Sequence, residues 1–278
     1  MTSESTDVLV VGGGVAGLTA ATFTARAGLD TVVLNDGESI LRRNAHLENL
    51  PGFPAGVNPR LFADLLTEQA ERNGVTVEAD RVVSVEVVGP SDGSTAAGGP
   101  DADAEQDGTT PGFRVTTADG DTHRTKYVVA ASWSDASYLP DGVGTRDAGS
   151  KTYVGEDGVG RTSVAGLYAA GRLAETYHQA IVAAGHGAEV GITLVHDSAT
   201  PFYHDWVTPE GYFTDRGREV PPGCEEIGPA EQARRQAESR RVMREYFAEP
   251  HRERQRTHPS LVDDEKGRVD ESWEVERS

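Results

Sequence analysis

A three-layer α/β domain with a parallel central sheet, a small antiparallel β-meander and an irregular or helical C-terminal extension is predicted by three features. The first is the run Asp7-Val8-Leu9-Val10-Val11, which leads straight into Gly12-Gly13-Gly14-Val15-Ala16-Gly17. The second is a small-residue segment, Leu18 to Ala27, followed by Thr31-Val32-Val33-Leu34. The third is an apolar, glycine-containing segment from His178 to about Val195, preceded by TSVAGLYAA at Thr162 to Ala170. Unbroken apolar strands belong to parallel sheets, because βαβ crossovers cover both sheet faces with other layers.

In chain order, Val8–Val11 is a strand, Leu18 to Ala27 a helix stopped by Gly28, and Thr31–Leu34 the second strand. Asn35-Asp36-Gly37-Glu38 then opens an irregular stretch through Arg42, Arg43 and His46 to Glu48-Asn49-Leu50-Pro51-Gly52-Phe53-Pro54. Asn58-Pro59 pairs a capping residue with proline at the first helical position, so a helix should run to about Arg72. Asn73-Gly74 closes it. Val75-Thr76-Val77 and Arg81 to Val88 alternate as strands do. Gly89 to Gly112 has no periodicity and is read as a flexible acidic loop. Phe113 to Thr117 and Arg124 to Ala131 are strands joined by the turn Ala118-Asp119-Gly120-Asp121. Pro201 to Gly228, rich in aromatics, Pro and Gly, reads as a covering or docking segment without regular structure. Ala230 to Phe247 is a charged helix with Val242, Tyr246 and Phe247 as apolar contacts, and the remainder is expected to fray. The organisation expected is residues 1–200 as one domain, with 89–112 as its insert, and 201–278 as an extension.

Composition narrows the function classes. The 278 residues carry 26 Lys+Arg against 45 Asp+Glu, a formal charge of −19. That balance argues against a nucleic-acid partner, since a phosphate backbone needs a positive face. No run reaches the roughly 18 apolar residues of a membrane span, and the MTSESTD start lacks a signal peptide's basic residues. A soluble, cytoplasmic protein is expected. The single cysteine, Cys224, leaves no internal disulfide, CxxC pair or cysteine metal cluster within this sequence, and its acidic neighbours disfavour a thiolate. Only Lys126, Lys151 and Lys266 are lysines. An acidic, lysine-poor surface is similar to that of proteins from salt-accumulating halophiles such as haloarchaea; the rival reading is a polyanionic face for a partner.

The glycine turn carries the chemistry. GxGxxG between a strand and a helix is the dinucleotide fingerprint: Gly12 permits the tight turn, Gly14 lets a pyrophosphate approach, and Gly17 allows close helix–strand contact. Free N–H groups at the helix start, around Val15 and Ala16, complement a negative ligand.

Three blocks extend this to a resemblance: DVLVVGGGVAGLTAATFTARAG at 7–28, ENLPGFP at 48–54 with EQAERNG at 68–74, and TSVAGLYAAGRLAETYHQAIVAAGHGAEVGITLV at 162–195. They resemble the FAD-binding half of the low-molecular-weight thioredoxin reductases, in the pyridine nucleotide-disulfide oxidoreductase superfamily. The resemblance implies a Rossmann-like FAD/NAD(P)-binding domain and FAD as cofactor. It places Asn35 and Asp36 at the adenosine ribose, Arg43 and Val83 along the cofactor, and Asn49 near the flavin. Ala130 falls in the family's small-residue turn, Ala130-Ala131-Ser132. The family's Gly-Asp is here Gly171-Arg172, and this arginine either pairs with a phosphate or points away. His178, Gln179 and Ala180 fall at a helix start by the flavin's pyrimidine edge, where a positive dipole end would stabilise an anionic reduced flavin.

The departures matter as much. In the family an NADPH domain with a CxxC pair is inserted between the FAD segments. Here the chain passes from Lys126–Ala131 to Tyr153 without a second fingerprint. The function expected is therefore an FAD-dependent oxidoreductase without its own NADPH domain or dithiol, exchanging electrons with a small molecule or a redox-protein partner. The alternative is a non-catalytic FAD-binding protein. Phe202, Tyr203, Trp206, Tyr212 and Phe213 are expected to cover the flavin, and a homodimer is possible by analogy. The histidines lack metal-ligand spacing, GxSxG is absent, and His46 and Tyr177 are read as flavin neighbours or plain loop residues.

Overall fold

The computed structural model describes residues 5–36, 39–89 and 112–253. Of the flexible insert expected at 89–112, residues 90–111 lie outside these residues, as does 254–278, where fraying is expected, while Gly112 already opens a strand. β1 (Ser5–Val11), α1 (Val15–Arg26), β2 (Thr31–Leu34), α2 (Pro59–Arg72) and β3 (Thr76–Glu78) form the first half. β4 (Val82–Val88), β5 (Gly112–Thr117) and β6 (Thr122–Ala130) follow as an antiparallel meander. β7 (Thr145–Ala148) and β8 (Lys151–Val154) form a hairpin, after which β9 (Leu167–Ala169) and α3 (Ala180–Asp197) complete the nucleotide fold. The C-terminal segment holds β10 (Trp206–Pro209), β11 (Cys224–Ile227) and α4 (Pro229–Tyr246).

β1 sits centrally, parallel to β2 on one side and β6 on the other. β3 extends the sheet beyond β2, and β9 pairs parallel with the far end of β6, beyond the residues that pair with β5. Its side chains serve two cores, as the period of two requires. Val8 and Val10 join α1 and α3 residues Ala16, Ala20, Val190 and Leu194. Leu9 and Val11 join the meander, with Val85, Phe113 and Val115. Helices, sheet and meander are the three layers, and burial on both faces of β1 and β2 explains the unbroken apolar runs of the sequence.

α1 and α3 approach closely because small residues face each other. A Cβ at Gly187 would lie 2.2 Å from the Ala16 carbonyl oxygen, and one at Gly191 2.9 Å from that of Ala20. The far end of α3 is clamped to β9: Arg161 donates two hydrogen bonds to Asp197, at 2.7 and 2.9 Å, and the Tyr168 hydroxyl donates a third at 2.9 Å.

Two expectations are corrected. Pro201 to Gly228 is not devoid of regular structure: β10 and β11 pair in parallel within it. Glu226 organises the turn between them, accepting from the N–H groups of Gly211, Phe213 and Thr214 and from the Thr214 hydroxyl. The β7–β8 hairpin was not expected in the stretch between β6 and β9. Its first strand, Thr145-Arg146-Asp147-Ala148, is polar and largely exposed, so it carries no apolar signal.

Candidate functional site

One large cavity, about 990 Å³, opens where β1 meets α1, and its volume is that of a site for a sizeable ligand. Its walls come from the glycine turn, the segment after β2, the 46–49 loop, the start of β4, the 131–138 loop and the approach to α3. Strands and helices bring six separate pieces of chain to the carboxyl ends of the parallel strands, where ligands of open α/β sheets bind.

The glycine turn fits a phosphate-bearing ligand. Gly12 has φ +107°, and a Cβ there would lie 2.7 Å from the Ala131 carbonyl oxygen. A Cβ at Gly17 would fall 2.0 Å from the Gly12 carbonyl oxygen, so α1 can rest on the turn only because Gly17 has none. At Gly14 the nearest atom to such a Cβ is Ser39 Oγ at 3.9 Å, leaving the backbone open on the cavity side. Neither α1 nor α3 has a capping side chain or an acidic residue in its first turn. The first residues of both helices line the cavity, and their uncompensated N–H groups make its walls receptive to anions.

Most of the sequence-predicted residues come together here. Gly12, Gly14, Val15, Ala16, Asn35, Asp36, Arg43, Asn49, Arg172, His178, Gln179 and Ala180 all line the cavity. Arg43 ends the 3-10 turn Ile40–Arg43, which buried Arg60 braces by donating to the carbonyls of Arg42 and Asn44. Asn49 donates to the Gln179 side-chain oxygen at 2.6 Å, tying the 46–49 loop to the start of α3.

Four predicted residues lie elsewhere. Val83 faces outward at 49% exposure while Val82, at 6%, lines the cavity; the β4 alternation selects the neighbour. Ala130 is fully buried in the sheet, and Ala131 and Ser132 form the wall instead. Gly17 lies beneath the turn. Gly171, at φ +68°, packs against Ala16 and donates its N–H to His186 Nδ1 at 3.0 Å. Burial holds the His186 imidazole below its ordinary pKa, partly offset by Glu156 and Glu189, which keeps Nδ1 available as that acceptor.

Arg172 resolves the two readings left by sequence in an unforeseen way. Its guanidinium donates to the Thr176 carbonyl at 3.0 Å and to the Tyr153 hydroxyl, and lies 4.8 Å from the Tyr153 ring centre. Its Nε is buried with no hydrogen-bond partner among the described residues. The β7–β8 hairpin, source of Tyr153, therefore holds this arginine against the cavity wall.

The expected aromatic cover is absent from the cavity. Trp206, Tyr212 and Phe213 pack on one another, with ring centres 4.9 to 6.3 Å apart, and line no part of it. The segment is drawn instead to the end of α1, where Arg26 makes a two-pronged ion pair with Asp205. From the C-terminal segment, Phe247 stacks on Phe53 and Glu253 pairs with Arg42, both beside the cavity rather than in it.

Sequence reasoning missed Trp133. It lines the cavity in the left-handed region at φ +65°, a conformation that costs a bulky residue about 1–3 kcal/mol. Ser132 holds its loop, donating to the Asp135 carbonyl at 2.6 Å and meeting the buried Tyr138 hydroxyl at 2.7 Å. His178 meets the indole edge-on, with ring centres 4.5 Å apart. The only sequence signal was a tryptophan directly after the small-residue turn. Tyr177 and His46 also line the cavity, Tyr177 being 83% exposed.

Comparison with known proteins agrees with this geometry. Residues 7–47 match the family described as FAD binding domain. A thioredoxin reductase from Streptomyces clavuligerus is 38% identical over 90 residues, covering 31% of this chain and 28% of that protein. A bifunctional thioredoxin reductase/thioredoxin from Mycobacterium leprae is 32% identical over 136 residues, 48% of this chain and 25% of that one. The chain thus spans only about a quarter of the length of these relatives. Among solved structures, a thioredoxin reductase from Gloeobacter violaceus superposes with a TM-score of 0.59 at 16% identity, covering 74% of this chain and 100% of that one. An oxidoreductase from Agrobacterium tumefaciens gives 0.56 at 13% identity, covering 72% and 100%. The fold is that of the FAD/NAD(P)-binding thioredoxin reductases, and FAD is the cofactor that this chain binds.

Proposed function

We propose that the protein is a thioredoxin reductase-like, FAD-dependent oxidoreductase that works without a nicotinamide domain or redox dithiol of its own. Electrons would pass to or from a small molecule or a redox-protein partner. The observation that carries this reading is the cavity itself: the glycine turn and the start of α3 face one space, with Asn49 bonded to Gln179 across it. A bound flavin supplies the capacity to accept and release electron pairs. The chain supplies position and field. The N-termini of α1 and α3 favour negative charge in the cavity, and Gln179, oriented by Asn49, fixes a hydrogen-bonding group at its wall. Arg172, held by Tyr153 and Thr176, adds a positive charge to the same wall.

Two observations support the independence from a second domain. Residues 131–166 hold the β7–β8 hairpin and loops, and the sequence has one cysteine, Cys224, whose thiol faces the His204 carbonyl at 3.4 Å. The same two observations favour the second reading, an FAD-binding protein without catalysis. The charge of −19, whose self-repulsion salt would screen, supports operation in high salt.

The visible spectrum of the purified protein in high salt tests this. We expect the bands of oxidised flavin, bleached by NADH, NADPH or reduced ferredoxin. Flavin that no donor bleaches would favour the second reading. A colourless preparation that cannot be reconstituted with FAD would sink both.

A further inference from the structure

We propose that the rim of the cavity formed by Trp133, Lys151 and His178, backed by Arg172, binds a small aromatic carboxylate. The inference rests on the FAD-dependent reading, because it assigns the substrate side of that cavity.

Trp133 belongs to none of the three apolar cores, although its loop is firmly braced. The fold therefore holds a half-buried indole in a disfavoured backbone conformation without using it for core packing. The edge-on His178 ring and the indole together offer flat apolar surface beside polar edges, which suits a planar conjugated ligand.

The charge at this rim is opposite to that of the chain. The Lys151 ammonium lies 5.5 Å from the Trp133 ring centre, and among the described residues it has no carboxylate at ion-pair distance. Among the described residues the hydrogen-bond partners of Arg172 are neutral, the Thr176 carbonyl and the Tyr153 hydroxyl. Partial desolvation, Arg172 and Lys151 all push the His178 imidazole below its ordinary pKa, with no carboxylate opposing them. The nearby acid Glu175 is taken by Arg146, and Asp135 turns to Ser137 and Arg81. Asp36, Glu48 and Asp80 also line the cavity, so the cationic character belongs to this rim and not to the cavity as a whole. In a protein with 45 acidic and 26 basic residues, such a rim attracts an anion that the rest of the surface repels. The ring seats against Trp133 and the carboxylate reaches the Lys151 ammonium, whose cation–π contact leaves its N–H donors available.

Benzoate is the probe, titrated into the full-length, FAD-loaded protein at fixed salt. Binding is followed by calorimetry and by perturbation of the flavin visible spectrum. Saturable binding is expected. Benzamide, which keeps the ring and lacks the charge, and cyclohexanecarboxylate, which keeps the charge and lacks the aromatic ring, should each bind about tenfold more weakly. Lys151→Gln and Trp133→Asn should each weaken benzoate binding about tenfold, and Asn tolerates the left-handed backbone. Lys126→Ala, which removes an exposed lysine of β6 paired with Asp7 and not with this rim, should leave benzoate binding unchanged. Equal affinity for benzoate and benzamide, or wild-type affinity in both rim variants, would overturn the proposal. Tighter binding of phenyl phosphate than of benzoate would overturn the carboxylate assignment. Calorimetry reads the rim whether or not flavin is present: a colourless protein that still binds benzoate through Lys151 would condemn the flavin reading and not the site.

Discussion

The nucleotide-binding half and the C-terminal segment of this one chain are held by different forces. Around the cavity, stability comes from what is missing: Gly12, Gly17, Gly187 and Gly191 leave no room for a side chain, so backbones meet directly. In α4 no residue is buried, and Glu231, Arg235, Glu238, Arg241 and Glu245 pair along its surface instead. Close packing is insensitive to salt and intolerant of added volume, whereas exposed ion pairs are screened by salt and individually weak. The part of the molecule that must present a fixed cradle uses the first kind of contact.

The largest effect should follow from Gly187→Ala. The new Cβ would sit 2.2 Å from the Ala16 carbonyl oxygen, which belongs to the first turn of α1, so relief requires the cradle itself to move. A loss of about 3 kcal/mol in denaturant unfolding is expected, together with weakened FAD retention. Gly185→Ala is the matched control on the same helix. Nothing lies within 4 Å of that position, and the better helix former should add about 0.5–1 kcal/mol. Equal effects from the two substitutions would break the claim that steric exclusion sets the α1–α3 contact.

Acid should separate the two regions next. His186 is held below its ordinary value of 6.5 and must stay neutral to accept from Gly171. The unfolded state therefore takes up a proton first as pH falls. The stability it contributes is complete above about pH 6.5 and declines as pH falls below that toward the folded value. Glu226 behaves later: partial desolvation raises its pKa, but the N–H groups of Phe213, Thr214 and Gly211 and the Thr214 hydroxyl bring it down to about 2. Its contribution is complete above 4.5 and is lost as pH falls from there toward about 2. Amide exchange followed against pH should show α3 loosening before the β10–β11 turn. His186→Gln, which keeps an acceptor without the titration, should remove the earlier step.

The same division explains how much was legible in the sequence. Steric requirements leave a mark on the chain, because a glycine demanded by contact is written as a glycine and a twice-covered strand as Val and Leu. The sheet, α1, α2 and most of the cavity lining follow from such marks. Ala130 and Val83 missed by one residue, because which of two neighbours faces a cavity depends on strand register, and that is set by the partners. Trp133 and the Tyr153 support of Arg172 were not legible, since they join loops distant in sequence through backbone conformations that no local pattern specifies. The aromatics after Phe202 were legible as a cluster and misplaced as a cover: they satisfy one another, and the Arg26–Asp205 pair draws their segment to the end of α1.

That pair provides the smallest and most discriminating test. Arg26 ends α1, donates to Asn73 at 2.8 Å as well as to Asp205, and so joins the nucleotide half to the C-terminal segment. Partial exposure and solvent screening limit its value, so Arg26→Ala should cost no more than about 1 kcal/mol of global stability. Its local effect should be larger than its global one. Without the anchor, residues 201–228 keep their aromatic contacts and the β10–β11 pairing but lose this tie to the helix core. Limited proteolysis should then cut within 201–228 faster than in the wild type, while the melting temperature barely moves. Molar salt should narrow the gap, because it weakens the wild-type pair and has nothing to weaken in the variant. If the variant instead lost global stability and FAD together, the two regions would be one cooperative unit, and the contrast between steric and ionic halves would not describe how the protein unfolds.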